Sequence, residues 1–121
     1  MAKKLKDLEY SFFALPEIKP KGWLENQLRI QAAGLGGKLD QFWPDIHDSR
    51  WIGGGTDGWE RVPYWLDGFI PLAYLLDDER MKERARRYID EILARQQPDG
   101  WLCPCEDSDR WSYDMWALFL I

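Results

Sequence analysis

Cysteine and histidine are scarce. Two Cys and one His in 121 residues cannot build a disulfide scaffold or a zinc ribbon, and no metal site is expected within the chain. No 18 apolar residues run together. The opening MAKKLKDLEYSFFAL offers only a broken apolar stretch without a small-residue cleavage site, so neither a membrane span nor a signal peptide is expected and the expected location is cytoplasmic. Basic residues are in the minority, 16 Lys and Arg against 21 Asp and Glu for a net charge of −5. They are scattered or gathered into one helix, which excludes a nucleic-acid groove. Neither disorder nor low complexity fits a chain that is 45% hydrophobic and 31% charged, and its length suits one folded domain.

Tryptophan is abundant instead. Eight Trp beside five Tyr and five Phe exceed what packing asks of so short a chain. An indole offers a flat apolar face and a polar N–H at its rim, which suits a sugar ring whose hydroxyls need partners. Taken singly, each Trp is first a core residue.

Residues 1–21 carry an apolar patch (Phe12, Phe13, Leu15) and prolines at 16 and 20, which predicts an extended arm lying across a helical body. The domain proper is 22–121. Trp23, Leu24, Leu28, Ala32 and Leu35 recur near helical spacing, and Gly34, Gly36 and Gly37 end that first helix. Leu39, Phe42 and Trp43 predict a short turn closed by Pro44, and DIHDSRWIGGGTDG is a long loop of the functional kind. The segment WERVPYWLDGFIPLAYLL is too apolar all round for a surface helix, so an inner helix kinked near Gly68 and Pro71 is expected. Glu79 to Gln97 then places Met81, Ala85, Tyr88, Ile89, Ile92 and Leu93 on one face of an outer, amphipathic helix. WLCPCEDSDRW forms a second aromatic loop. It leads into an uncapped apolar helix from Met115 to Ile121, so the chain reads as roughly the first third of something larger. Alternating inner and outer helices with aromatic loops at one rim predict an all-α fold, part of a toroid.

The combination of KPKGWL, WE, PYWLDG and DGWL across residues 15–118 resembles the N-terminal part of glycoside hydrolase family 127, the β-L-arabinofuranosidase-like proteins. The resemblance implies a partial (α/α)6 barrel acting on plant-type glycans. It implies retaining hydrolysis by a zinc-bound cysteine thiolate with a glutamate as acid and base, both in a later half that no position here matches. Zinc therefore belongs to the full-length family and no cofactor is expected in this chain. Cys103 and Cys105 are expected to be ordinary free thiols in a rim loop. In the matched part the resemblance implies sugar-binding roles for Gln27 on the first helix, for Trp59, Glu60, Tyr64 and Asp67 around the start of the inner helix, and for Tyr113 and Asp114 before the last one. The family has a histidine near the position of Tyr113, and this chain departs from the pattern there.

The carboxylates do not make a catalytic pair. Glu60 and Asp67 stand two helical turns apart, about 10 Å along one face, whereas a retaining pair needs about 5 Å. Asp45, Asp48 and Asp57 fit solvated loop acids, and RMKERARR fits a solvated face laced with ion pairs. The resulting expectation is an N-terminal portion of a glycosidase, inactive alone, that supplies part of a glycan cleft and self-associates through bare apolar faces. The alternative is a non-catalytic helical module binding sugar or protein. Antiparallel helices should bring the loops 45–58 and 101–111 to one end, where Gln27, Glu60 and Tyr113 would converge.

Overall fold

The computed structural model describes residues 9–14 and 17–121. Among the described residues five α-helices follow one another, α1 (Trp23–Ala33), α2 (Leu35–Phe42), α3 (Pro44–His47), α4 (Arg61–Leu75) and α5 (Glu79–Leu93). The 3₁₀ turns Arg50–Ile52, Asp107–Asp109 and Trp116–Leu120 lie between and after them, and no strand occurs among the described residues. The chain is all-α. No described helix is long and apolar enough to cross a membrane.

The arm departs from expectation. Residues 1–8, Leu15 and Pro16 lie outside the described residues, but Phe12 is 97% exposed and Tyr10 and Phe13 are also exposed. This patch does not pack on the body. An ion pair from Lys19 to Asp77 (3.2 Å) holds the arm's base at the α4–α5 turn.

The glycines after α1 also act differently than predicted. Gly34 alone breaks the helix, and Gly36 and Gly37 lie inside α2. A Cβ on Gly37 would fall 1.9 Å from the Ala32 carbonyl oxygen, so glycine there lets α2 start against the last turn of α1. Pro44 closes nothing. It occupies the first turn of α3, where its missing N–H would have no helical partner anyway. Of the predicted apolar face of α1, only Leu28 and Ala32 reach the core, while Trp23, Leu24 and Leu35 are exposed.

Helix α4 is the centre of the molecule. Val62, Pro63, Trp65, Leu66, Phe69, Leu72 and Ala73 are buried along it, and it runs unbroken through Gly68 and Pro71. The Trp65 ring stacks on Phe69 at 4.4 Å and meets Tyr88 of α5 edge-on at 4.8 Å. Trp65 Nε1 donates to the Gly36 carbonyl (3.0 Å), fastening the start of α2 to the middle of α4. Yet α4 is not covered all round. Tyr64, Asp67 and Gly68 form an exposed stripe on this otherwise apolar helix.

Asp77, in the left-handed region at φ 57°, turns the chain, and Asp78 caps α5 by accepting from the Met81 N–H (3.0 Å). Met81, Ala85, Tyr88 and Ile92 are buried as the helical period requires. Ile89 and Leu93, expected on the same face, sit at its margin and are exposed, Leu93 by 54%. They line a small apolar groove with Leu66, Ile70, Leu120 and Ile121. The predicted last helix is a 3₁₀ segment, Trp116–Leu120, with only Ala117 buried. The basic run on α5 is not simply solvated either. Arg84 donates to both carboxylate oxygens of Asp40 and to the Gly37 carbonyl, clamping α5 to α2 across 44 residues of chain. Lys82 is buried between Asp77 and Glu79, at 2.6 Å from each.

Candidate functional site

Helix α4 spans about 22 Å at 1.5 Å per residue, with Trp59 and Glu60 before its start and Asp77 and Asp78 beyond its end. Both long loops lie at the first of these ends. The Tyr113 hydroxyl donates to Asp57 Oδ1 (2.7 Å), Trp59 Nε1 donates to the Asp114 carbonyl (2.9 Å), and Arg50 faces Glu106 at 3.8 Å. A third link joins the segment after the second loop to α4, where Trp116 Nε1 donates to the Tyr64 hydroxyl (2.8 Å).

Local sequence explains the first loop. Ser49 is buried, bridges to Thr56 and accepts from the Trp51 N–H, while Gly58 closes the loop at φ 60°. A Cβ on Gly58 would fall 2.3 Å from Ser49 Oγ and 2.5 Å from the Asp45 carbonyl, so only glycine lets the loop close. Trp51 is a core residue rather than a loop-tip ligand group. Its Nε1 donates to the Trp59 carbonyl (2.7 Å), which orients the entry to α4.

The predicted site residues divide accordingly. Trp59, Tyr64, Tyr113 and Asp114 come together through the bonds above. Trp59 and Tyr113 are half-buried, whereas Tyr64 is 44% exposed. Glu60 precedes α4 without capping it and pairs with Arg61 at 3.0 Å. Asp67 lies on the exposed stripe one turn after Tyr64 and makes no hydrogen bond or ion pair among the described residues. Gln27 is not part of this cluster. Its neighbours on α1, Glu25 and Arg29, line grooves with Leu75, Leu76 and Asp77, which puts Gln27 at the far end of α4. The expected convergence of Gln27 with Glu60 and Tyr113 is therefore corrected. The reason is the break at Gly34, which folds α1 back beside the end of α4 instead of letting it run along the helix.

Sequence reasoning missed Asp57 and Trp116 as members of the cluster. Their partners Tyr113 and Tyr64 are 56 and 52 residues away, beyond any local signal. Burial, then the Asp57 carboxylate, raises the Tyr113 phenol above its ordinary range, so it stays a neutral donor. Cys103 and Cys105 are half-buried free thiols on either side of Pro104. Burial, with the nearby Asp57 carboxylate adding to it, pushes the Cys103 thiol up to about 12. At neutral pH it is protonated and a poor nucleophile. No group of three His, Cys, Asp or Glu side chains is arranged to hold a metal among the described residues.

Chemically, the cluster can hydrogen-bond and stack. The Tyr64 hydroxyl accepts from Trp116 and keeps its own proton for another acceptor, next to an exposed Asp67 carboxylate and the Trp116 ring. No family model, curated protein or solved structure matches the chain.

Proposed function

We propose that the chain is the N-terminal portion of an all-α glycoside hydrolase resembling family 127, part of an (α/α)6 barrel, and that it supplies one wall of a plant-glycan cleft. The observation that carries this reading is the juxtaposition of Tyr64, Trp116, Trp59, Tyr113 and Asp114 at one end of α4. Beside them runs the exposed Tyr64–Asp67 stripe on the most apolar helix of the molecule. Aromatic faces flanked by hydroxyl and carboxylate groups bind sugar rings. Zinc chemistry and the acid/base glutamate belong to the remainder of such an enzyme, and a cytoplasmic location goes with the same reading. Exposed Ile89, Leu93, Phe119 and Ile121 are faces through which copies would self-associate.

Hydrolysis of a chromogenic β-L-arabinofuranoside by the purified chain, with and without zinc, tests the catalytic half of the proposal. No turnover is expected, and turnover abolished by Cys103→Ser or Cys105→Ser would overturn it. Calorimetric titration with arabino-oligosaccharides tests the binding half, with loss of binding expected in Tyr64→Ala. The second reading, a non-catalytic helical module binding sugar or protein, rests on the same aromatic cluster without any chemistry beyond it.

A further inference from the structure

A second aromatic surface lies on the loop after α5, apart from the Tyr64–Trp116 cluster. Trp111 is 99% exposed, an indole held wholly in water. Its neighbour Arg110 is the opposite, a guanidinium only 20% exposed and held in place by several partners. The Arg110 Cζ lies 5.2 Å from the centre of the Trp101 ring, Nη1 donates to Asp99 (2.6 Å), Nε donates to Asp107 (3.2 Å), and Nη2 donates to Gln97. Asp99 in turn accepts from the Trp101 N–H (3.0 Å), which ties the turn to the same unit. The Arg110 bond holds Asp99 below the usual carboxylate range, a bond donated by Gln97 and then the Arg110 charge do the same for Asp107, and Asp99 raises Arg110 above its own range, so all three are charged at neutral pH.

Between Trp111 and this locked unit opens a groove of about 360 Å³ lined by Asp99, Gly100, Trp101, Arg110 and Trp111. The volume is at the lower end of small-molecule sites. Trp111 gives it a flat apolar side. Asp99, 58% exposed, offers carboxylate lone pairs beside the N–H groups of Arg110. An acceptor next to a donor matches two adjacent hydroxyls, one donating and one accepting. Two carboxylates against one guanidinium leave the locked unit with net negative charge, which disfavours phosphates, nucleotides and uronates.

We infer that the Trp111 groove binds a neutral sugar ring, its apolar face on the Trp111 indole and a pair of vicinal hydroxyls on Asp99 and Arg110. It would be a contact for the glycan beyond the Tyr64–Trp116 cluster, and to that extent it rests on the glycan reading above. Trp101 Nε1 is buried without a hydrogen-bond partner, an unmet donor in one of the groove's own walls.

The test uses the full 121-residue chain with its tryptophan indoles labelled with ¹⁵N, titrated with L-arabinose, D-galactose and D-galacturonate. The Trp111 indole resonance, assigned by its loss in Trp111→Ala, is expected to shift with the two neutral sugars and much less with galacturonate. Trp111→Ala is expected to weaken neutral-sugar binding roughly tenfold, and Asp99→Asn to weaken it too. Trp111 is fully exposed, so its truncation leaves the fold intact. Trp23→Ala, an exposed indole at the other end of the molecule, should leave binding unchanged. Sugar binding lost in Tyr64→Ala but unchanged in Trp111→Ala would overturn this site while leaving the glycan reading standing. Tighter binding of galacturonate would overturn the neutral class. No shift of the Trp111 resonance with any sugar, or its protection only when the chain self-associates, would reassign the indole as a protein contact and overturn the inference.

Discussion

The two ends of α4 are held by different kinds of bond. At its start, Trp51, Trp59, Tyr113 and Trp116 make hydrogen bonds from neutral aromatic donors, three of the four across 52 residues or more and the fourth, from Trp51, across eight. At its end, Asp77, Glu79 and Lys82 form ion pairs over five residues or fewer, joined by Lys19 from the arm. Between them the Asp40–Arg84 clamp combines both characters, being ionic, nearly buried on the aspartate side and long in range. Neutral aromatic donors are little affected by salt and can meet a ligand, whereas exposed ion pairs are screened and serve mainly to set a turn. The two ends thus differ in how far salt reaches them, the aromatic one being the less sensitive.

The largest expected effect comes from the clamp. Arg84→Met leaves the Asp40 carboxylate buried without its cation and should cost about 3 kcal/mol in urea unfolding, since breaking one side of a buried pair exposes the desolvation cost of the other. A loss close to zero would mean the clamp is solvated. Next, Gly58→Ala forces a left-handed conformation and a clash with Ser49 and Asp45. It should cost about 2 kcal/mol and loosen the aromatic end while α5 keeps its hydrogen-exchange protection. Equal loss of protection in α5 would show that the two ends melt together.

Tyr113→Phe removes the bond to Asp57 and should cost about 1 kcal/mol near neutral pH. Because the folded phenol titrates above the unfolded one, its contribution is full below a pH of about 10 and is lost as pH rises further. The wild-type chain should therefore lose stability in alkali more steeply than the Phe variant, as followed by far-ultraviolet dichroism. Cys103 should resist iodoacetamide at pH 8 in the native chain and react at the ordinary rate in urea, because its thiol is held near 12 only by the folded surroundings. The smallest effect belongs to the other end. Asp77→Asn should lower the melting temperature slightly, and only at low salt. Since the folded Asp77 titrates below its usual value, the wild-type advantage is present above the ordinary carboxylate range and fades as pH falls through the lowered one.

The face of α5 and its Asp78 cap are legible in the residues because both are local. The helical period places Met81, Ala85, Tyr88 and Ile92 together, and an aspartate three residues before Met81 meets its free N–H. The convergence of the two long loops also follows from short-range information, since α4 and α5 run antiparallel through a tight turn. The position of Gln27 does not follow, because it depends on how α1 folds back at Gly34. Ile89 and Leu93 share the apolar pattern of their helix, but which part of a wide stripe is covered depends on the neighbour, and that neighbour is a short 3₁₀ segment.

What the amino-acid order determined by itself is therefore the all-α class, the central apolar helix, the amphipathic one beside it and the aromatic character of the loops, because period, caps and composition act over a few residues. Only the tertiary structure decided that Gly36 and Gly37 sit inside a helix, that Trp51 is core while Trp111 stands in water, and that Asp57, Tyr113, Tyr64 and Trp116 meet. The last of these outcomes depends on surfaces that press together across more than 50 residues of chain. Burial and hydrogen-bond pairing are properties of that contact and not of either segment alone.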